Sequence, residues 1–326
     1  MKSKYLYLVP LFLFIVLFSF GGSVIAADKD LLIDSVAFDP VQPVVGQTTK
    51  IIVKARYYGT NPLTINYGVD NVAFSHSDFW QIDSSNNGSS IKPASYNPLY
   101  SGAEFTYVFT GRFTGGGEKM LVFKIDGYNQ LAEYNEYNNI INVNINVLQT
   151  GDLIKLTNDP AVYMIGDDGK KHLYVNAPTF WSYYRGSWGN LILDNKNVYI
   201  KIISQANFDE IDIGKNITMK PGAKLVKFQN SPRIYSVFGS AKLRYMSDQT
   251  VANLYGYNWG NKVITLQNGF ESDYFLASQD FVDSDGDVLS DEDEFSIYRT
   301  NPYNVDTDHD GHRDGVEVIN SYSPII

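Results

Sequence analysis

The sequence predicts a mostly β protein in three parts: an immunoglobulin-like β-sandwich, a tandem-repeat β domain, and a small acidic-loop tail with short helices. Three observations carry this expectation. Apolar and polar residues alternate over short runs before residue 150, the pattern of half-buried strands. Two stretches between residues 151 and 276 repeat one another. From Asp280 onward thirteen acidic residues face only Arg299 and Arg313, a local net charge of −11, while the whole chain carries −10.

The N-terminus, residues 1–26, reads as an export signal. Lys2 and Lys4 make a positive start, Tyr5 to Phe20 is almost unbroken apolar sequence, and Val24-Ile25-Ala26 before Ala27 satisfies the small-residue rule for cleavage. The alternative is an uncleaved anchor, since an apolar run of roughly 20 residues can span a bilayer. Pro10 and Gly21-Gly22 suit a signal better. Either way the expected location is extracellular or cell-surface, with no membrane span after signal removal. The chain has no cysteine, which excludes a disulfide framework, a thiolate zinc site and a cysteine nucleophile. Bound metal is another source of rigidity for an exported chain. No basic patch is present, which argues against nucleic acid as a partner.

Residues 27–149 form the sandwich. Ile51, Val53, Ala55 and Tyr57 alternate with Lys50, Lys54 and Arg56. Phe105, Tyr107 and Phe109 repeat the pattern, as do Leu121, Phe123 and Ile125, then Ile141, Val143, Ile145 and Val147. Turn-rich segments such as Thr114-Gly-Gly-Gly117 separate them. Strands without intervening helices imply antiparallel sheets. The opening Asp30-Leu-Leu-Ile-Asp-Ser-Val36, with Pro40 and Val45-Gly-Gln47, resembles that of a CARDB domain, an immunoglobulin-like adhesion-related module of bacterial and archaeal surface proteins. So does the closing stretch Ile125-Asp126, Leu131-Ala-Glu133, Asn135-Glu136-Tyr-Asn138-Asn139. The resemblance covers about 120 residues and implies an adhesive surface role. The segment around Phe79-Trp80 is longer than the family suggests.

Residues 150–279 hold the repeat, as copies over about 151–221 and 222–276. Leu153-Ile-Lys155, Asn158-Asp-Pro160 and Val162-Tyr163 recur as Leu225-Val-Lys227, Asn230-Ser-Pro232 and Ile234-Tyr235. Trp188-Gly-Asn190 recurs as Trp259-Gly-Asn261. A fixed period of this kind marks a repeated structural unit. Each copy starts with a hairpin, and Asp248–Tyr255 suits a short helix.

The tail, residues 280–326, carries the chemistry. Asp283-Ser-Asp285-Gly-Asp287-Val-Leu-Ser-Asp291-Glu-Asp-Glu294 and Asp306-Thr-Asp308-His-Asp310-Gly311-His-Arg-Asp314-Gly-Val-Glu317 place oxygen ligands at positions 1, 3, 5, 9 and 12. Position 7 offers a backbone carbonyl, from Leu289 or His312. This spacing wraps a chain around one hard cation, and Ca²⁺ accepts the resulting flexible shell of oxygens more readily than Mg²⁺. Calcium is therefore the expected cofactor. Gly311 stands at position 6, where the backbone turns sharply, whereas the first loop has Val288 there. A β-branched residue resists positive φ, so the first loop is expected to be distorted or weaker. Only Phe295 to Val305 separates the loops, and the join contains Asn301-Pro302. This resembles the bacterial thrombospondin type-3 repeat, which implies a calcium-stiffened stalk or spacer. A dockerin is similar, but its loops normally end in Asp and sit farther apart.

No catalytic set accompanies these features, and the expected class is non-enzymatic. Ser89-Ser-Ile-Lys92 fits a short serine–lysine spacing without its partner motifs, and His76 and His172 are isolated. Trp181, Trp188 and Trp259 are the candidate ligand-binding aromatics. They fit core packing, or flat platforms on which sugar rings stack. Beyond calcium, the expected partners are surface glycans or other envelope proteins. A carbohydrate- or cell-wall-binding module is the alternative to a structural or adhesive protein.

Overall fold

The computed structural model describes residues 28–64, 73–75, 79–82, 98–126, 129, 131–188, 190–193, 196–256, 259–276 and 282–325. The export segment, His76 and Ser89–Lys92 lie outside the described residues. No helix among the described residues is long and apolar enough to cross a membrane. The protein is mostly β.

The alternating runs of the first part form two facing sheets. β1 (Lys29–Asp39), β2 (Thr48–Gly59), β5 (Glu104–Phe113) and β4 (Trp80–Ile82) make one, in the order β1-β2-β5-β4. β3 (Ala73–Ser75), β6 (Gly117–Lys124) and β7 (Ile140–Val147) make the other. Period-2 alternation sends Ile51, Val53, Ala55 and Tyr57 from one sheet, and Leu121 and Phe123 from the other, into one core; all are fully buried. Asn142, Asn144 and Asn146 stay on the exposed face of β7. Trp80, in the segment that the family resemblance left unplaced, is a core residue. Its ring meets Phe113 edge-on at 4.9 Å between centroids.

Glu133, from the closing motif, is buried and ties the sandwich's opening to its end. Its carboxylate accepts from the Leu31 amide at 2.5 Å and from Asn139 Nδ2 at 3.0 Å. Burial pushes this carboxyl up to about 7.

The two later copies run the same course. In the first, β8 (Leu153–Lys155) pairs with β9 (Tyr163–Ile165), which pairs with β10 (Lys171–Leu173). Helix α1 (Ala177–Tyr183) follows, capped by Asn176. β11 (Arg185–Ser187), β12 (Asn190–Leu193) and β13 (Lys196–Val198) form a small separate sheet, and β14 (Ile200–Ile202) then returns parallel to β8. Helix α2 (Gln205–Asp209) closes this copy. In the second, β15 (Leu225–Phe228), β16 (Ile234–Phe238) and β17 (Lys242–Met246) are followed by helix α3 (Asp248–Tyr255), capped by Ser247. β18 (Val263–Leu266) returns parallel to β15, and β19 (Phe275–Leu276) runs beside β17. The boundary with the sandwich is packed rather than open: Val44 and Leu148 share a core with Ile154, Ile165 and Phe208.

The tail departs from a free stalk or spacer. Val288 and Ile319 share a core with Leu225, Ile234, Met246 and Val251 of the second copy. Polar contacts reinforce this face. Lys224 Nζ donates to the Ile319 carbonyl at 2.7 Å, the Gly239 amide donates to Asp293 at 3.2 Å, and the Tyr298 hydroxyl donates to the Pro221 carbonyl. The reason is compositional. Val288 and Leu289 in the first loop, and Val318 and Ile319 in the helix of the second, are apolar and buried, and burying them is favourable by about 25 cal/mol per Å².

Candidate metal centre

Each acidic loop is a chain of short turns closed by a helix. The first ends in helix α4 (Asp291–Asp293), capped by Ser290 and continued by a π-helical turn over Glu294–Tyr298. The second ends in helix α5 (Asp314–Ile319). The backbone course is shared. Positions 4 and 6 both take positive φ, at Gly286 (+79°) and Val288 (+87°) in the first loop and at His309 (+63°) and Gly311 (+95°) in the second. The valine did not divert the first loop. It adopts the strained conformation and is buried to 4% exposure in the core shared with the second copy. Strain of about 1–3 kcal/mol is offset by burial of comparable size, about 1.5–3 kcal/mol for a valine.

The aspartates at positions 3 and 5 spend one oxygen on the loop itself. Asp285 accepts from the Asp287 amide at 3.1 Å and Asp287 from the Leu289 amide at 2.8 Å. Asp308 and Asp310 do the same with the amides of Asp310 and His312, at 3.2 and 2.8 Å. At position 1, Asp283 accepts from Gly286 at 2.8 Å and Asp306 from Gly311 at 3.0 Å. Ligand atoms of Asp283, Asp285 and Asp287 lie within 4.8 Å of one another, as do those of Asp306, Asp308 and Asp310.

Four carboxylate oxygens in the loops are buried without a hydrogen-bond donor: Asp285 Oδ2, Glu294 Oε2, Asp306 Oδ1 and Glu317 Oε2. A buried acceptor with no partner is costly, more so when charged. Electrostatics say the same. Burial, then the charges of Asp287 and Asp285, push Glu294 up to about 8. Burial, then Asp310 and Asp308, push Glu317 to about 7. Asp287 rises to about 6, from burial opposed by its two amide bonds and aided by Asp285 and Asp283. Asp283, Asp285 and Asp314 are raised as well, burial being the first cause in each. A dication fits this donor set, since it supplies the positive partner that these oxygens lack.

Position 9 is engaged differently from the expectation of a direct ligand. Asp291 takes the Ser284 amide at 2.8 Å and its hydroxyl at 2.7 Å, one on each oxygen. Asp314 takes the Thr307 amide and hydroxyl at 2.9 and 2.7 Å. Both carboxylates thus fasten position 2 to position 9. The signal was legible as a hydroxyl residue at position 2 of each loop. At position 7, Leu289 is buried and His312 exposed.

Sequence reasoning missed the contact between the loops. The Gly315 amide donates to Asp287 Oδ2 at 2.6 Å, across 28 residues. A Cβ on Gly315 would stand 2.1 Å from the Asp287 carbonyl oxygen, so only glycine allows the approach. Its residue type hinted at nothing beyond helix entry.

The three tryptophans occupy three environments. Trp181 is half-buried on α1 and packs against Phe180 and Trp188, with centroids at 5.1 and 4.9 Å. Trp188 is 58% exposed, with its ring stacked on Phe180. Trp259 packs against the core between second copy and tail. His172 is held by Asp168 at 2.9 Å and the Lys215 carbonyl at 2.7 Å.

Among known proteins, no family model matches the chain. No curated protein matches it either. A solution structure of a CARDB domain from Pyrococcus furiosus is a structural neighbour at 18% identity, covering 37% of this chain and 95% of that domain, with a TM-score of 0.23.

Proposed function

We propose that the chain is a secreted or cell-surface structural and adhesive protein whose tail takes up two calcium ions, which fix the tail to the second copy. The four donorless carboxylate oxygens carry this reading. In the first loop Asp283, Asp285, Asp287 and the Leu289 carbonyl would hold the ion, closed by Glu294. In the second, Asp306, Asp308, Asp310 and the His312 carbonyl would do so, closed by Glu317. Asp291 and Asp314 would act from behind, by locking position 2. The ion supplies charge neutralisation and no chemistry. Calcium suits seven or so oxygens at flexible geometry, while magnesium demands an octahedron and keeps its waters. Surface location and adhesion rest on the export-like N-terminus and on the closing motif around Glu133 and Asn139. The non-enzymatic reading rests on the sequence, which offers no catalytic set.

Titration calorimetry tests this with calcium-stripped protein. Two ions per chain are expected, together with a higher thermal transition. No uptake at millimolar calcium would sink the assignment; uptake of one ion would confine it to a single loop. A second reading, a carbohydrate-binding module, is favoured by the exposed ring of Trp188, stacked on Phe180 and edge-on to Trp181.

A further inference from the structure

The carbohydrate reading can be given a place and a ligand class. A cleft of about 200 Å³ opens where helix α1, the segment leading into β15, and the tail meet. Trp181 and Tyr184 line it from the first copy, and Tyr298 and Tyr322 from the tail. Arg185, Lys220 and Lys224 also line it, and no acidic residue does among the described residues. Three cations in one lining is a sharp departure in a chain of net charge −10.

The cations are set in different ways. Lys220 Nζ sits 5.1 Å from the centroid of the Tyr298 ring. Lys224 donates to the Ile319 carbonyl, and burial together with the neighbouring Lys262 charge lowers its affinity for a proton. Arg185 is exposed on β11, its guanidinium suited to a carboxylate in a forked pair. Aromatic faces beside cations make a recognisable combination: rings stack on the flat apolar side of a sugar, and the cations take a negative substituent. The cleft is smaller than the roughly 300 Å³ at which drug-sized pockets begin, so it suits one unit of a chain.

We infer that this cleft binds one acidic sugar unit of a surface glycan, its ring against Trp181 and Tyr322 and its carboxylate at Arg185 and Lys220. The inference rests on the carbohydrate reading and adds the site, the charge and the tail's share in it. Exposed Trp188 does not line the cleft and adjoins it through its edge-on contact with Trp181.

Calorimetry on the full chain, at one fixed calcium concentration, tests it with three probes. These are a hyaluronan hexasaccharide, which alternates acidic and neutral sugars, neutral chitohexaose, and an oligomer of glycerol phosphate. The hyaluronan fragment should bind at least tenfold more tightly than either other probe. Arg185→Gln and Tyr322→Ala change exposed side chains, so the fold is not at risk, and each should weaken it about tenfold. Trp181→Ala should abolish binding, with its thermal transition measured alongside. Equal binding of chitohexaose would overturn the acidic site while leaving the wider carbohydrate reading intact. Equal binding of glycerol phosphate would show charge alone at work and overturn the stacked ring. Silence from all probes would remove both, as would hyaluronan binding unmoved by Arg185→Gln and Tyr322→Ala remove the assigned cleft.

Discussion

Loop Asp283–Glu294 and loop Asp306–Glu317 share a ligand pattern and a backbone course but differ in surroundings. In the first, Asp287, Val288, Leu289 and Ser290 are all buried. In the second, the corresponding Asp310, Gly311, His312 and Arg313 are all exposed. The first loop is both a candidate ion site and a packing element, and the second is a candidate ion site with a more exposed middle that touches the first through Gly315. The comparison teaches that position 6 need not be glycine. A residue that dislikes positive φ is tolerated there if its side chain is buried well enough to offset the strain.

Removing calcium should have the largest effect and should strike both loops. With each site filled at 100 times its dissociation constant, linkage is worth about 2.7 kcal/mol per site, so chelation should lower stability by roughly 5 kcal/mol. Amide exchange in α5 and the π-helical turn would report this, and unchanged protection in EDTA would break the premise that the ions fasten the tail.

Gly315→Ala separates the loops without replacing a ligand residue, although it presses on Asp287. Its Cβ would stand 2.1 Å from a backbone oxygen, so the approach must open, at a cost of about 3 kcal/mol. Calcium uptake should change from coupled to independent in a two-site titration.

Exchanging the residues at position 6 sharpens the comparison further. Gly311→Val adds a side chain with nothing within 4 Å of its Cβ, so it carries the strain with no burial to offset it. Binding at the second loop should weaken by about 2 kcal/mol. Val288→Ala keeps most of the strain and loses buried methyl groups, so it should destabilise docking by about 1–2 kcal/mol. Val288→Gly removes both terms and should lie closer to wild type than Val288→Ala. The reverse order in urea melts would refute the offset.

The smallest effect is a control from the sandwich. Glu133 is a buried acid whose two oxygens both have donors, unlike Asp285, Glu294, Asp306 and Glu317. Its carboxyl is raised from 4.5 to about 7. Below pH 4.5 both folded and unfolded chains hold the proton and its contribution is complete. Between 4.5 and 7 only the folded chain does, so stability falls as pH rises through this window. Glu133→Gln should flatten that slope. Calcium should leave the difference between Glu133→Gln and wild type unmoved, whereas a calcium-dependent difference would tie the sandwich to the loops.

Much of the fold was legible in the chain. Alternation at Ile51–Tyr57 and Leu121–Ile125 reports a local rule, that successive strand residues face opposite ways, so it survives without knowledge of partners. Asp248–Tyr255 was readable as a helix because its cap, Ser247, is a local signal. The acidic loops were readable as loops for the same reason, since a twelve-residue spacing is a short-range property. Trp80 was not, because the strand that buries it is set by pairing with a distant β5. Nor was the docking of the tail. Val288 looked like a defect when judged by φ preference alone, because its compensating partners Leu225 and Met246 lie more than forty residues away.

The sequence by itself determined the strand periodicity, the recurrence of two similar stretches and the position of every acidic group, all of which can be read along the chain without knowing which segments meet. The tertiary structure decided what these became. It turned an apparent stalk into a docked wedge, joined two loops through Gly315 and Asp287, and left four carboxylate oxygens buried without donors. Burial and long-range contact depend on how distant segments meet, and no local spacing encodes that.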